Sequence, residues 1–266
     1  MSARLALITG ASAGIGAAFA HIYAGHGYDL AVTARREDRL RSLADEVRLA
    51  HGVEVIIVPA DLAEPAAPAT LVADIAAQGR TIDALVNNAG YGLVGAYADS
   101  RWEDQAAFIQ VMVTAVCDLT HRVLPAMTAQ RFGRIVNVAS LAGLAPGEPG
   151  VGLYAAAKAF LVKFSQGLHL ELRASGVHVS ALCPGFTWSE FHDVNNTRES
   201  LKQTPAWLWM GADEVAANGY EAAEANRPLC VPGAPNKALA AISHLLPDDW
   251  AVALMSQRRR FGVDRP

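Results

Sequence analysis

The sequence predicts an α/β fold, a doubly wound parallel sheet with helices on both faces, and three observations carry that expectation. Short β-branched or apolar runs alternate with longer stretches of helical pattern. Several of the runs are continuously hydrophobic and do not alternate. A turn rich in small residues joins the first run to a helical stretch. Continuous hydrophobicity suits strands buried on both faces. Repeated strand–helix alternation implies right-handed crossovers and hence a parallel sheet.

The runs are Leu5–Thr9, Leu30–Thr33, Val53–Val58, Ala84–Val86, Arg134–Val138, Val177–Leu182 and, more weakly, Leu229–Val231. Helical stretches between them include Glu37–Ala50, Trp102–Gln130 and Tyr154–Ala174. The stretch 147–152 is rich in glycine and proline but too short to separate domains, and reads as the loop before the Tyr154 helix. Residues 1–266 are therefore expected to form one domain.

Hydrophobic residues make up 52% of the chain and charged residues 18%, ample for a core covered on both sheet faces. A net charge of −4 without a long block of like charge gives no nucleic-acid footprint. No apolar run approaches the roughly 20 residues of a membrane helix, so no membrane span is expected. The N-terminus passes almost directly into strand-like sequence, with no room for a signal peptide. Cys117, Cys183 and Cys230 lack metal-type spacing and suit a reducing compartment, so the chain is expected to be cytoplasmic. The histidines, His192 included, show no ligand spacing, and no metal is expected. Arg258–Arg260 reads as a solvated helix end.

The chemistry begins at Thr9-Gly10-Ala11-Ser12-Ala13-Gly14-Ile15-Gly16. A strand precedes it and a helix follows, so the backbone can turn tightly around a pyrophosphate and offer it the free N–H groups of a helix N-terminus. Gly10, Ser12, Gly14, Ile15 and Gly16 are the candidate contacts. Tyr154 and Lys158 lie four apart on a helix and share one face. A free tyrosine has a pKa near 10, and a nearby ammonium favours the phenolate and lowers it. Ser140, just past the end of its strand, can hydrogen-bond a substrate oxygen and aim it at Tyr154.

The Gly-x-x-x-Gly-x-Gly spacing, together with Asn87-Asn88-Ala89-Gly90, Tyr154-x-x-x-Lys158 and Pro184-Gly185 in order, resembles the short-chain dehydrogenase/reductase family over nearly the whole chain. The resemblance is to an NADP-preferring bacterial subgroup. It implies a Rossmann-type sheet, a nicotinamide cofactor and the catalytic set Ser140, Tyr154 and Lys158. It also implies cofactor contacts at Asp61, Leu62, Asn88, Ala89, Gly90, Pro184, Gly185 and Thr187, with Lys158 on the nicotinamide ribose.

The second strand ends Thr33-Ala34-Arg35-Arg36, where an acid would bind the adenosine ribose hydroxyls and arginine accommodates a 2′-phosphate. Ala34 with Arg35 and Arg36 therefore points to NADP(H). Aromatic and apolar residues, Trp188, Phe191, Trp207, Leu208, Trp209 and Met210, crowd the segment after Pro184-Gly185. They suit a small hydrophobic carbonyl or alcohol substrate, bound by a helical segment at about 186–226. The reading is an NADPH-dependent reductase of a hydrophobic ketone, aldehyde or 3-oxoacyl group.

Two departures from the family pattern stand out. Thirteen residues separate Ser140 from Tyr154 where relatives usually have twelve, and the loop before Tyr154 can absorb one. Met112 stands where many relatives have the asparagine of a proton relay, and a thioether cannot relay a proton. Met112 supports the alternative of an NADP-binding protein with weak or no catalysis. Finally, the Trp102–Gln130 and Tyr154–Ala174 helices carry apolar residues on more than one face, which predicts a homodimer or homotetramer.

Overall fold

The computed structural model describes residues 3–191, 195, 201 and 204–256. His192 and Arg258–Arg260 lie outside the described residues. The strands are β1 Leu5–Thr9, β2 Asp29–Thr33, β3 Val55–Ile57, β4 Ile82–Asn87, β5 Gly133–Val138, β6 Val177–Leu182, β7 Phe186–Trp188, β8 Trp209–Gly211 and β9 Leu229–Cys230. The helices are α1 Gly14–Gly25, α2 Glu37–His51, α3 Ala67–Ala77, α4 Trp102–Ile109, α5 Ala115–Ala129, α6 Tyr154–Glu171, α7 Ala212–Glu224, α8 Ala234–Leu245 and α9 Asp248–Ser256.

Seven strands form one parallel sheet in the order β3-β2-β1-β4-β5-β6-β9. The winding reverses between β1 and β4, and in such sheets the crevice at the carboxyl ends beside that reversal is the natural binding site. The expected Rossmann-type architecture is the one observed.

Strand geometry explains the continuous apolar runs. Successive side chains point to opposite faces, and both faces are covered. Ala6 and Ile8 of β1 join Phe19 and Tyr23 of α1, Leu40 of α2 and Val215 of α7 in one core layer. Leu5 and Leu7 join Leu71 of α3 and Leu119 and Met127 of α5 in the other.

Element ends shift where charge is pinned inside a strand. β2 begins at Asp29 because its carboxylate pairs with Arg80 at 2.8 Å and accepts the Glu54 N–H at 2.9 Å. β4 includes Asp83, whose carboxylate accepts the Leu5 N–H at 2.8 Å. Apolar pattern alone passes over both residues.

The stretch expected as one helix from Trp102 to Gln130 is α4, a π-helical turn Gln110–Thr114, and α5. In that turn the Ala115 N–H reaches back to Gln110 O, five residues instead of four. By length and composition Trp102–Ala129 is long and apolar enough to cross a membrane. Its stripe Phe108, Val111, Met112, Ala115, Leu119, Val123 and Met127 is buried within the fold, the signature of a core helix.

The 186–226 segment is not wholly helical as expected. β7 and β8 form a two-stranded parallel ribbon ahead of α7. Trp188 stacks on Trp209 with centroids 4.2 Å apart, and Phe186 meets Trp209 at 5.4 Å. Aromatic residues prefer such pleated, half-buried surfaces, and here they pair across the ribbon.

Candidate active site

The glycine turn leaves β1 at the winding reversal. Gly10 and Gly14 sit at φ +65° and +57°, where a side chain is strained. A Cβ on Gly16 would collide with the Gly10 carbonyl oxygen, so glycine is required for the turn to lie flat on α1. Ala13, at the N-cap of α1, offers no side-chain oxygen, and the first-turn N–H groups have no side-chain cap.

A clamp from β4 fixes the turn. The Thr9 hydroxyl accepts the N–H groups of Asn88 at 2.9 Å and Ala89 at 3.0 Å. The Asn88 amide donates to the carbonyls of Thr9 at 2.9 Å and Gly10 at 3.2 Å. Asn88 therefore spends its amide on the turn. Gly90 ends the motif under the sulfur of Met112.

At the end of β2, Arg35 is exposed and Arg36 is already engaged. Arg36 donates to Glu190 at 2.9 Å and to the Ser12 hydroxyl at 3.1 Å. Arg39 donates to the other Glu190 oxygen at 3.2 Å. The two guanidiniums hold the Glu190 carboxyl below its usual range, the Arg36 hydrogen bond being the largest cause. Asp61 is exposed and accepts the Ala63 N–H at 3.0 Å, while Leu62 beside it is buried.

Ser140, Tyr154 and Lys158 are brought together. The Ser140 oxygen accepts the Ala142 N–H at 3.1 Å, and its hydroxyl faces the Tyr154 phenol, toward which it can donate. Leu141 N–H donates to Pro184 O at 2.9 Å and ties the serine loop to the Pro184-Gly185 turn. Gly143 lies so close to the Lys158 backbone that a Cβ there would stand 2.6 Å from it. The stretch between Ser140 and Tyr154 includes a loop where Gly150 and Gly152 both adopt positive φ.

Lys158 is buried, and its Nζ donates to the Val138 carbonyl at 2.7 Å. Burial brings its pKa down to about 8, opposed by the Cys183 thiol. Tyr154 is half-buried, yet desolvation of its hydroxyl pushes its pKa up to about 12, opposed by the Ser140 hydrogen bond. This corrects the expectation that the neighbouring ammonium lowers the tyrosine. The lysine nitrogen is 5.7 Å from the Tyr154 ring centre and aimed at Val138, so desolvation dominates.

Past the serine, Gly185 packs against Asn236, whose Oδ1 would lie 2.5 Å from a Cβ at Gly185. The Asn236 amide donates to Pro232 O at 3.0 Å. Thr187 is buried and donates to Gly185 O at 3.2 Å. Phe191 sets its ring 5.9 Å from that of Tyr154. Met112, in the π-helical turn, packs with Phe108 and Ala157 beside Tyr154. Asn87 and Asn137 do not take over the relay position. Asn87 donates to Asn137 at 2.8 Å and to Thr120 at 3.2 Å, and Asn137 donates to Ser165 at 2.9 Å.

Sequence reasoning missed Thr9 as the clamp, Glu190 and Arg39 as an ion-pair cluster, and Asn236 as the brace of Gly185. The paired asparagines after β4 were a usable signal for the clamp, since buried amides demand partners. Glu190 and Arg36 are separated by 154 positions, and no local pattern reveals their contact.

A sequence profile described as short chain dehydrogenase matches residues 4–200. The chain belongs to the short-chain dehydrogenase family. The resemblance carried by the four motifs is borne out, and this member is an oxidoreductase of that family. It is 37% identical over 186 residues to oxidoreductase UcpA of Salmonella typhimurium, covering 70% of each chain. A solved short-chain dehydrogenase from Sphingobium yanoikuyae, in complex with NADPH, is 34% identical with a TM-score of 0.79, over 99% of this chain and 98% of that one. The bulky-bulky ketone specific alcohol dehydrogenase from Comamonas testosteroni is 28% identical with a TM-score of 0.77, over 100% and 98%.

Proposed function

We propose that the chain is an NADPH-dependent reductase of a hydrophobic ketone, aldehyde or 3-oxoacyl group, with Ser140, Tyr154 and Lys158 as its catalytic residues. The observation that carries this is Ser140 brought beside Tyr154, one helical turn from a buried lysine, at the carboxyl end of the sheet. The NADPH-bound Sphingobium relative and the ketone-specific Comamonas relative support it.

The residues fit the cofactor. The Gly10–Gly16 turn is held tight, since a Cβ at Gly10 or Gly16 would strike Asn88, Ala89 or the Gly10 carbonyl, and the first turn of α1 carries no side-chain cap. Ser12, Ile15 and the three glycines would hold the pyrophosphate, and Arg35 and Arg36 the 2′-phosphate. Asp61 and Leu62 would meet the adenine, Asn88, Ala89 and Gly90 the central part, and Pro184, Gly185 and Thr187 the nicotinamide. When bound, NADPH supplies the hydride.

The protein supplies the proton and the alignment. With substrate present, the Ser140 hydroxyl turns its proton from the Tyr154 oxygen to the substrate oxygen and holds it beside the Tyr154 hydroxyl. A tyrosine pushed up to about 12 stays protonated at neutral pH and so serves as the acid of carbonyl reduction. The Lys158 ammonium, one helical turn away, then offsets part of the desolvation that opposes the phenolate left behind. Exposed Trp188 and Trp207, with Phe191, offer apolar surface to a bulky substrate.

Tyr154→Phe keeps the ring and removes the proton donor. It should abolish NADPH oxidation across a panel of ketones, aldehydes and 3-oxoacyl thioesters while NADPH binding stays within about twofold. Met112 is the specific observation favouring a binder without catalysis, because the apolar cluster around Tyr154 contains no relay amide. Tight NADPH binding by the parent with no turnover on any carbonyl in the panel would establish that second reading.

A further inference from the structure

Three consecutive residues touch three parts of the cleft. Ser189 lies on the glycine turn, where a Cβ on Gly14 would stand 2.9 Å from its own. Glu190 bridges Arg36 at 2.9 Å and Arg39 at 3.2 Å. Phe191 sets its ring against Tyr154. Trp188, just before them, holds the segment to β8 through its stack on Trp209. The Glu190 carboxylate thus occupies a position with two guanidiniums, one of which also reaches the Ser12 hydroxyl. Paired guanidiniums beside a hydroxyl, at the end of the second strand, are what a 2′-phosphate would seek.

We propose that Glu190 competes with the cofactor's 2′-phosphate for Arg36 and Arg39, so that filling the phosphate site releases Ser189–Phe191 from the arginines and from its seat over Tyr154. The proposal rests on the NADPH reading above. A phosphate carries about −1.5 to −2 charge at pH 7 against −1 for the carboxylate, so it wins the guanidiniums. All three side chains are partly exposed, and exposed ion pairs are weak, which keeps the exchange cheap. The 2′-phosphate then does more than add affinity, because it is the signal that uncovers the catalytic tyrosine. A cofactor lacking it leaves Glu190 in place and Phe191 over Tyr154.

Isothermal titration with two cofactor fragments, 2′,5′-ADP and 5′-ADP, isolates the competition. Glu190→Gln should bind 2′,5′-ADP about two- to fivefold tighter than the parent, the range that loss of an exposed ion pair supports, and 5′-ADP equally well. Arg39→Ala should weaken 2′,5′-ADP and leave 5′-ADP unchanged. Emission from the Trp188–Trp209 stack, isolated against Trp188→Phe, should shift when 2′,5′-ADP is added to the parent but not when 5′-ADP is added. Glu190→Gln should show the shifted emission before any ligand. Unchanged or weaker 2′,5′-ADP binding by Glu190→Gln, in a parent that still prefers that fragment, overturns the competition and leaves the NADPH reading standing. A parent that binds both fragments equally overturns both.

Discussion

The sulfur of Met112 rests on Gly90, and a Cβ added at Gly90 would lie 2.8 Å from it. The thioether therefore fills the space beside Tyr154 that a relay amide would need, within the apolar group of Phe108 and Ala157. Met112→Asn should lower stability by about 1–3 kcal/mol, since its amide is buried without partners, whereas Met112→Leu should cost less than about 1.5 kcal/mol. Urea unfolding reads both. With Asn in place, the solvent isotope effect on the reduction rate should shrink. A folded Met112→Asn with no change in rate or isotope effect would remove Met112 from the account of proton supply.

Lys158 should set the alkaline limb. Burial lowers its pKa to about 8, so the ammonium is lost as pH rises through that value, while Tyr154, pushed up to about 12, keeps its proton there. On the proposed mechanism the charged lysine is the form that would favour the phenolate and hold the ribose. The kcat/KM for carbonyl reduction, which reports groups of the free enzyme, should therefore fall above about pH 8. Lys158→Arg, charged across this range, should flatten that limb at a lower overall rate. A profile of the parent that stays flat to pH 9.5 would contradict the assignment.

Cofactor choice should rest mainly on Arg35 and Arg36, with Arg39 adding to them. Replacing both by alanine should weaken NADPH by tenfold or more, since a hydrogen bond to a charged group is worth about 1.5–3 kcal/mol, and should leave NADH binding nearly unchanged. Fluorescence titration of each cofactor is the measurement. A parent that binds NADH more tightly than NADPH would refute the choice of cofactor.

Helix α6 should build a two-fold interface. Phe160 and Leu170 are 39% and 57% exposed, and Phe160 stacks on Phe164 at 5.6 Å to form an outward apolar stripe on the helix that carries Tyr154 and Lys158. An exposed apolar face that meets its own copy does so isologously. Sedimentation should show a dimer or tetramer for the parent and a monomer for Phe160→Glu. A parent that is monomeric at micromolar concentration would dispose of the interface.

How far the sequence foretold this depends on whether the cause is local. β1 and β6 occupy the very residues read from the sequence, because nearly all of them, His178 of β6 apart, are apolar or small and both faces are covered. The Tyr154–Lys158 pair and the glycine turn were legible because helix spacing and backbone conformation are local constraints. The balance of charge at the site was not. It turns on desolvation and on the Val138 carbonyl, twenty residues before the lysine and brought to it by the sheet. The π-helical turn leaves the apolar periodicity of the long stretch intact and so had no sequence mark. The β7–β8 ribbon joins segments some twenty residues apart, and reading the aromatic cluster as helical missed that pairing.

Asn87 and Asn137 face each other directly across β4 and β5. A slip of either strand by one residue would turn every side chain to the opposite face and strand both amides against apolar neighbours. Leaving such groups unpaired costs about 1–3 kcal/mol each. The pair therefore acts as a vernier for the folding sheet, accepting a single alignment of the two central strands. One residue after Asn87, past the end of β4, comes Asn88 of the glycine-turn clamp, and three after Asn137, past the end of β5, comes Ser140. The two halves of the cleft are thereby held at a fixed offset before any ligand arrives.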